Sequence, residues 1–552
     1  MDMMLEAQSQ RGTSCDAVVV GAGFAGLYML HRLRALGLSA RCFEAGTGVG
    51  GTWYWNRYPG ARCDVESLQY SFSFSEELQQ EWHWTERYAS QPEILRYLDH
   101  VADRFDLRRM IQFGTRVTAA EYDEDAGLWR VATNQGDQVS ARFCIMATGA
   151  LSAARKPEMP GLDSFEGRWF HTGNWPKESV DFTGQRVAVI GTGSSGIQTI
   201  PVVARQAAHL HVFQRTPNFS IPAWNEPLPA DRQVAWKAEY ATHRARARDT
   251  RSGILYEYSQ RGAFDATHEE RQAEFERRWQ RGGSNFTHAF NDIFTSAEAN
   301  HEAAEFVRGR IRALVRDPAT AAALLPTDHP IGTKRICVDT EYYDTFNRPN
   351  VTLVDIRRTP IESVIPTGLR TTEADFALDS IIFATGYDAV TGALDRIAIR
   401  GRGGEALRAK WAEGPRTYLG LMTAGFPNLF IVTGPGSPSV LTNVVMAIEQ
   451  HVDWVATLLA HMQRQGLAMA EPEVEAELDW VEQVNAVAAR TLFPSAASWY
   501  MGANIPGKPR VFLPYVGGFG NYTRICNEVA ADGYRGFRLG QAAPALAGAS
   551  SR

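Results

Sequence analysis

Arg186 to Gly196 reads RVAVIGTGSSG, a short apolar strand that runs straight into glycines at 191, 193 and 196. A helical pattern, IQTIPVVARQA, and a second apolar run, HLHVF, follow it. The same order occurs upstream. DAVVV (Asp16 to Val20) leads into GAGFAG, with Gly21, Gly23 and Gly26, and then LYMLHRLRALG carries Leu27, Leu30 and Leu33 at helical spacing. The next strand, SARCFEAG, ends at Glu44. Strand, glycine turn, helix and strand make up the start of a dinucleotide-binding unit. The first glycine makes the tight turn, the second lets the backbone approach a pyrophosphate, and the third lets helix and strand pack closely. The helix N-terminus adds free N–H groups and the positive end of a dipole. A glycine-rich turn without a ligand is the competing reading of a lone motif, and a complete unit argues against it. The expected class is α/β, with two Rossmann-like dinucleotide-binding domains.

The two units differ where the nucleotide would be told apart. Glu44 can accept hydrogen bonds from ribose hydroxyls, whereas the second unit has Gln214-Arg215-Thr216 at the matching place. A carboxylate repels a 2′-phosphate and a guanidinium binds one. The first site is therefore expected to take FAD and the second NADPH. A solvated arginine at a strand end is the alternative for Arg215. Ser194 and Ser195 do not have the glycine spacing of a nucleophile elbow and read as cap or phosphate contacts.

The bulk numbers fit this picture. At 552 residues the chain suggests several domains, and 44% hydrophobic with 21% charged residues is a globular composition. A net charge of −6 gives no reason to expect nucleic acid or an anionic membrane as partner. The start, MDMMLEAQSQRGTS, lacks the basic and apolar regions of a signal peptide, and no apolar run is long enough to span a bilayer. Six scattered cysteines without a CxxC fit a reducing cytoplasm and disfavour a metal cluster or redox disulfide.

Two further strands, RFCIMATG (Arg142 to Gly149) and LDSIIFATG (Leu378 to Gly386), share an ending and read as late strands of the two nucleotide domains. Between about 225 and 325 the chain is rich in Glu, Arg and Ala, with helical patterns in HEERQAEFERRWQRGG and HEAAEFVRGRIRALV. Phe306, Ile311 and Leu314 mark one face of the latter, and the charges read as a solvated face. This is expected to be a helical insertion in the NADP domain. FPNLFIVTGPGSPSV is a strand entering a Gly/Pro loop; a helix from about Leu441 is expected to point its dipole at the flavin pyrimidine edge. SWYMGANIPGKPRVF (Ser498 to Phe512) reads as a loop with exposed aromatics.

Two stretches carry candidate chemistry. GGTWYWNRYPGARCD (Gly50 to Asp64) is a structured loop whose Trp53, Trp55 and Tyr58 can pack on a flat ring. Asp64 either serves a site or pairs with Arg62 or Arg57. GTKRICVD (Gly332 to Asp339) places the adjacent cations Lys334 and Arg335 on opposite sides of an extended chain. One can reach the nicotinamide nucleotide and the other the flavin; two surface cations are the alternative.

The segment between the late strand of the first unit and the second glycine turn, FEGRWFHTGNWP, resembles the FxGxxxHxxxWP fingerprint of type I Baeyer–Villiger monooxygenases, through Phe165, Gly167, His171, Trp175 and Pro176. GGTWYWNRYPGARCD, GTGSSG, FQRTPN, GTKR, ATGYDAVTGAL, GPGSPS and SWYMGANIPGKPRVF are similar to further segments of that family, in its order. The resemblance covers nearly the whole chain and lies nearest the phenylacetone and steroid monooxygenases. It implies an NADPH-dependent flavin monooxygenase with bound FAD that converts aryl, cyclic or steroid-like ketones to esters or lactones with O2, through a C4a-peroxyflavin and a Criegee adduct. NADP+ is implied to stay bound through the cycle.

By position, the resemblance makes Arg335 the arginine that stabilises negative charge beside the flavin and Asp64 the aspartate that pairs with it. Lys334, Arg215 and Thr216 match contacts to the 2′-phosphate. Gly191, Thr192, Gly193, Ser194, Ser195 and Gly196 match the pyrophosphate turn, and Trp499 a tryptophan that closes on NADP. Gly21, Gly23, Phe24, Gly26, Glu44, Thr52, Trp53, Asp64, Tyr70, Val117 and Val444 are the other cofactor positions. Ser439, Val440 and Leu441 line the substrate pocket. Val444 also matches a pocket position where some relatives carry a larger residue. His171 is implied to be a structural or hinge residue of an interdomain linker, away from the chemistry.

The expected division is 1–150 and 387–540 for the FAD domain, 151–220 and 332–386 for the NADP domain, 221–331 for the insertion and 541–552 for a flexible tail. The expected partners are a small ketone and O2, with neither nucleic acid nor membrane, in a monomer or weak homo-oligomer. The alternative activity is oxygenation of sulfur or nitrogen by a flavin-containing monooxygenase, whose fingerprint lacks the Trp175-Pro176 ending. An NADPH dehydrogenase or disulfide reductase, disfavoured by the missing CxxC, and a flavin-binding protein without turnover are more distant readings.

Overall fold

The computed structural model describes residues 13–155 and 157–541. Thr13–Val20 lies inside an eight-stranded sheet. The sheet runs Ala398–Arg400, Val117–Asp123, Leu128–Thr133, Gln138–Met146, Thr13–Val20, Ala40–Phe43 and Ile111–Gln112, and Leu429–Ile431 also pairs with Gln138–Met146. It is thus assembled from two stretches far apart in sequence. Thr13–Val20 has parallel neighbours on both sides, and both of its faces are covered. Ala17 and Val19 pack with Leu27, Leu30 and Leu33 of the helix Phe24–Ala35, whereas Val18 and Val20 pack with Trp129, Val131 and Phe426. Each of the three leucines is fully buried, which contributes about 1.5–3 kcal/mol apiece.

The second sheet has five strands, all parallel: Val351–Asp355, His209–Gln214, Arg186–Ile190, Ser380–Phe383 and Arg168–His171. Its glycine-turn strand, Arg186–Ile190, has the same two kinds of neighbour as in the first sheet: the next strand of its unit and the strand before Ala-Thr-Gly. The repeat extends to atomic packing. Gly21 (φ +103°) and Gly191 (φ +109°) pass so close to the carbonyls of Ala147 and Ala384 that an added Cβ would sit 2.6 Å and 2.5 Å from those oxygens. Both sites therefore need glycine for the backbone angle and for the space.

The fingerprint segment is not only a linker, as the sequence reading had it. Arg168–His171 is the edge strand of the second sheet, in register with Ser380–Phe383. Trp175 then stacks on Phe170 with ring centroids 5.1 Å apart. A Cβ on Gly167 would meet the Asp379 carbonyl at 2.5 Å, which accounts for glycine there.

The insertion contains Ala230–Ala238, Tyr240–Arg248, His268–Arg281, Ala297–Leu314 and Pro318–Ala323. Thr267 and Glu270 form a capping box at the start of His268–Arg281. The buried face of Ala297–Leu314 centres on Ala303, Ala304, Val307 and Ile311, with Phe306 and Leu314 at its margins. Its charges are not all solvated. Lys237, Arg244 and Arg278 are buried. Lys237 Nζ donates to the carbonyls of Gln80 and Trp82, and Arg244 Nη1 to that of Gln69, so cations fasten the insertion to backbone carbonyls of the first domain. A buried charge requires such partners.

Two C-terminal expectations are corrected. After Leu429–Ile431 comes a 3-10 turn, Ser439–Leu441, and the long helix starts at Val444 rather than near Leu441, running to Gln465. Asn443 caps it, accepting from the Val445 N–H and donating to the Gln69 carbonyl. The Ser498–Phe512 loop does not expose its aromatics. Tyr500 and Phe512 are buried and Trp499 is half-buried, because they pack with Val440, Phe493 and Val516. The tail from 542 lies outside the described residues. Among the described residues no helix is long and apolar enough to cross a membrane.

Candidate active site

Each of the two turns leads into a helix N-terminus without a side-chain cap. Gly23 precedes the helix Phe24–Ala35 and Gly193 the helix Ser194–Ala204. Neither helix has a side-chain cap or an acidic residue in its first turn, so the first N–H groups are left for a ligand. A Cβ on Gly193 would meet no atom within 4 Å, so the space before that turn is open. Gly23 is closed in by Gly51, where an added Cβ would lie 3.3 Å from the Gly51 Cα. This contact sets the Gly50–Asp64 loop directly on the first turn. The donor sets fit two dinucleotides, each on its own helix N-terminus.

Glu44 is buried beside the first turn and accepts from the N–H groups of Ala22 (2.8 Å) and Gly46 (2.6 Å). Burial pushes its carboxyl upward, and those two N–H groups oppose the shift. Glu44 thus organises the turn, with acceptor capacity left for a ribose. The Phe24 ring packs edge-on to Tyr70 and Phe72, and Val117 sits in a core cluster with Val18 and Val131. Thr52 is exposed beside Trp53, and Trp53 Nε1 donates to the Tyr70 hydroxyl at 3.1 Å.

At the second turn, Thr192 Oγ1 donates to the Thr216 carbonyl. The serine hydroxyls are already partnered, Ser194 with Cys337 Sγ and Ser195 with Thr172 Oγ1. Arg215 is exposed and has no ion-pair or hydrogen-bond partner among the described residues. Lys334 lies near it, 3.8 Å from Asp328. Burial lowers the Lys334 pKa, Asp328 opposes this, and Arg215 adds to the lowering. Two cations share one neighbourhood and are matched by a single contacting carboxylate.

Arg335 points elsewhere. Its Nε and Nη2 donate to Asp64 Oδ2 and Oδ1 at 2.7 and 2.8 Å, a bidentate pair across 271 residues of sequence. Nη1 donates to the Val440 carbonyl at 2.7 Å. Burial opposes the charge, but the Asp64 carboxylate outweighs it and raises Arg335 further. The rival pairings of Asp64 do not form: Arg62 pairs with Glu86, and Arg57 Nε donates to the Tyr54 carbonyl. Side-chain accessibilities of 31% for Arg335 and 20% for Asp64 leave the pair open to a ligand. Ser439, buried and with φ +42°, turns the chain that delivers the Val440 carbonyl. Leu441 packs in the same cluster, and half-buried Val444 begins the helix behind it.

Sequence reasoning missed Tyr500, whose buried hydroxyl interacts with Arg335. Burial pushes that phenol up to about 12, and Arg335 pulls the other way. Its position beside Trp499 in a quoted segment was the available signal. The bonds that hold the two sheets together were also missed. The Tyr387 hydroxyl donates to Asn56, Tyr58 donates to Gln198 at 2.9 Å, and Lys177 Nζ reaches Thr47 at 2.6 Å. His171 is far from exposed: Nδ1 accepts from the Gly173 N–H at 3.0 Å and Nε2 faces Thr385 Oγ1 at 3.3 Å. Accepting at Nδ1 places the proton on Nε2, and burial lowers the ring pKa, so His171 is neutral.

A family model described as flavin-binding monooxygenase-like matches residues 15–237. A 2-oxo-Delta(3)-4,5,5-trimethylcyclopentenylacetyl-CoA monooxygenase from Pseudomonas putida is 43% identical, covering 96% of this chain and 99% of that protein. A Baeyer–Villiger monooxygenase from Pseudooceanicola batsensis is also 43% identical, covering 97% and 98%. The solved structure of an oxidized steroid monooxygenase bound to NADP matches with a TM-score of 0.93 at 55% identity, covering 96% of this chain and all of that one. With fingerprint, paired turns and the Asp64–Arg335 pair in place over that length, the chain belongs to the Baeyer–Villiger monooxygenases of the flavin-binding monooxygenase family.

Proposed function

We propose that the protein uses NADPH and O2 to convert ketones to esters or lactones, with aryl, cyclic or steroid-like ketones as the substrate class. The Asp64–Arg335 pair carries this reading, because it sets a fixed cation in an accessible site between two nucleotide turns. FAD, when bound on the Gly21 turn, supplies the redox and oxygen-activating chemistry, and NADPH on the Gly191 turn supplies the hydride. The residues do the rest. Arg335 stabilises negative charge as it develops on the substrate carbonyl oxygen, an electrostatic effect that strengthens where water is excluded. Asp64 fixes the guanidinium plane through two bonds and the Val440 carbonyl fixes it through a third, so little reorganisation is needed. Trp499, packed with Val390 and Leu513, closes the water side of the site. Ser439, Val440 and Leu441 form the pocket wall next to Arg335. We place the protein in the cytoplasm, in keeping with six free cysteines.

Arg215, with Lys334 and Thr216, selects the 2′-phosphate. Arg215→Ala should lose about 1.5–3 kcal/mol of NADPH binding, the scale of a charge-assisted hydrogen bond, with NADH little changed. Titration of both cofactors checks this, and equal losses would remove the assignment. The activity is tested by product analysis under labelled O2 with NADPH, phenylacetone, cyclohexanone, a steroid ketone and one sulfide. A labelled ester or lactone is expected. A sulfoxide alone would move the protein to heteroatom oxygenation.

A further inference from the structure

Residues 325–335 leave the helical insertion and bring Lys334 into the neighbourhood of Arg215. The insertion fixes their path. Asn300, buried in the helix Ala297–Leu314, donates to the Ile331 carbonyl and accepts from the Ile331 N–H, both at 2.9 Å. Arg308 of the same helix donates to the Pro326 carbonyl at 2.7 Å. Asp328 lies between these two anchors in the chain.

Asp328 is not a free surface carboxylate, although its side chain is 43% accessible. Its Oδ1 bonds to His329 Nδ1 at 2.6 Å. An ionised carboxylate only accepts, so the imidazole is the donor. That ring is buried and stands edge-on to Phe219, with centroids 5.4 Å apart, and its Nε2 has no hydrogen-bond partner. Asp328 is thus the hydrogen-bond partner of the His329 side chain and is held in place by it. Burial pushes the carboxyl upward, but His329 and Lys334 outweigh this and hold it below the usual range, so it is ionised.

The other oxygen faces Lys334. Oδ2 lies 3.8 Å from Nζ, a looser contact than the one to His329. Lys334 has no other ion-pair partner among the described residues. Arg357 also feels Asp328, but it pairs with Asp355 at 3.2 Å. A 2′-phosphate held by Arg215 and Lys334 therefore arrives where a carboxylate already stands. A phosphate group carries about −1.5 to −2 charge at neutral pH, enough to draw Lys334 from so loose a contact. The carboxylate does not swing away, because His329 and the two anchors fix it. It stays beside the phosphate and repels it.

We propose that Asp328 is a specificity-determining residue of the nucleotide site, a fixed carboxylate that competes with the 2′-phosphate for Lys334 and loosens the hold on NADPH and NADP+. This rests on the assignment of Arg215 and Lys334 to the 2′-phosphate. A nucleotide that has given up its hydride must leave before the next one enters. A competing carboxylate weakens its grip without removing either cation.

The test uses calorimetry on the flavin-loaded protein with adenosine 2′,5′-bisphosphate and AMP, which differ by the 2′-phosphate and need no turnover, beside NADP+ and NAD+. Asp328→Asn keeps the size of the side chain and an oxygen for His329. It should bind the bisphosphate and NADP+ about three- to tenfold more tightly, the scale of one partly exposed charge acting on a doubly charged group. AMP and NAD+ should stay within about twofold of wild type. In a Lys334→Met background the gain should shrink, because part of it comes from freeing Lys334. A bisphosphate affinity that is unchanged or lower in Asp328→Asn, a gain shared equally by AMP, or a gain undiminished in Lys334→Met would overturn the inference. Arg215→Ala separates it from the assignment beneath it. Bisphosphate binding indifferent to Arg215→Ala removes the assignment and the inference together; binding that Arg215→Ala weakens and Asp328→Asn leaves unchanged removes the inference alone.

Discussion

Arg335→Ala should keep its flavin and lose ester formation by at least about 10²- to 10³-fold, the cost of removing one preorganised donor from a developing oxyanion. The geometry argues for a loss at the high end. Arg335 supplies a full charge, and two contacts to Asp64 and one to Val440 hold it in place before substrate arrives. Its substitution also leaves Asp64 without its partner, and breaking a buried pair in this way costs about 3–5 kcal/mol in general. This pair is partly accessible, so the lower end applies. Arg335→Met combined with Asp64→Asn removes both charges and should recover stability without recovering product. Arg335→Lys keeps a charge but cannot span both carboxylate oxygens, and it should recover only part of the activity. Product analysis, melting temperature and flavin absorbance on the same preparations separate the effects. An Arg335→Ala protein with near wild-type ester yield would end the assignment.

Gly26→Ala should be the most damaging single methyl in the first domain. Its Cβ would lie 1.8 Å from the Gly21 carbonyl oxygen and 2.9 Å from the Gly21 carbonyl carbon, and no rotamer relieves a clash with backbone. The helix must move off the strand, which pulls its N-terminus away from the phosphates. Destabilisation above about 4 kcal/mol and loss of bound flavin are expected, as for other severe overpacking at a backbone contact. Gly196→Ala repeats the clash at 2.1 Å from the Gly191 carbonyl oxygen and should instead remove NADP binding. Gly309 is the control. It lies within the helix Ala297–Leu314, where an added Cβ meets nothing within 4 Å. Gly309→Ala should stabilise by about 0.5–1 kcal/mol through helix propensity. A yellow Gly26→Ala protein melting within a few degrees of wild type would show that close helix–strand packing is not what the third glycine secures.

Much of this was legible before any coordinates. The glycine spacing and the runs DAVVV and RVAVI gave both nucleotide turns, because a strand-to-helix turn over a phosphate allows few residue types. The Asp64 and Arg335 positions and their pairing were legible through the resemblance, but the residues around Asp64 by themselves left its partner open. Arg57, Arg62 and Arg335 are all chemically suitable, and two of them are near in sequence. The structure sends Arg62 to Glu86 and leaves Asp64 to the distant one. The aromatics of Ser498–Phe512 were misread as exposed because loop composition does not reveal a cluster assembled from Val440, Phe493 and Val516. Likewise the charged insertion was read as solvated, although the carbonyls that receive Lys237 and Arg244 belong to residues 69 to 82.

By itself the sequence determined the two dinucleotide turns and the family, and it set the expectation that Glu44 and Arg215 tell the two nucleotides apart. These are local: the chemistry of a few adjacent residues settles them. Only the tertiary structure decided that His171 ends a sheet strand, that Tyr500 touches Arg335, and that Asp328 faces Lys334. The physical reason is that partnership of charge and burial of a ring depend on which distant segments share a volume. Composition along one segment does not carry that information.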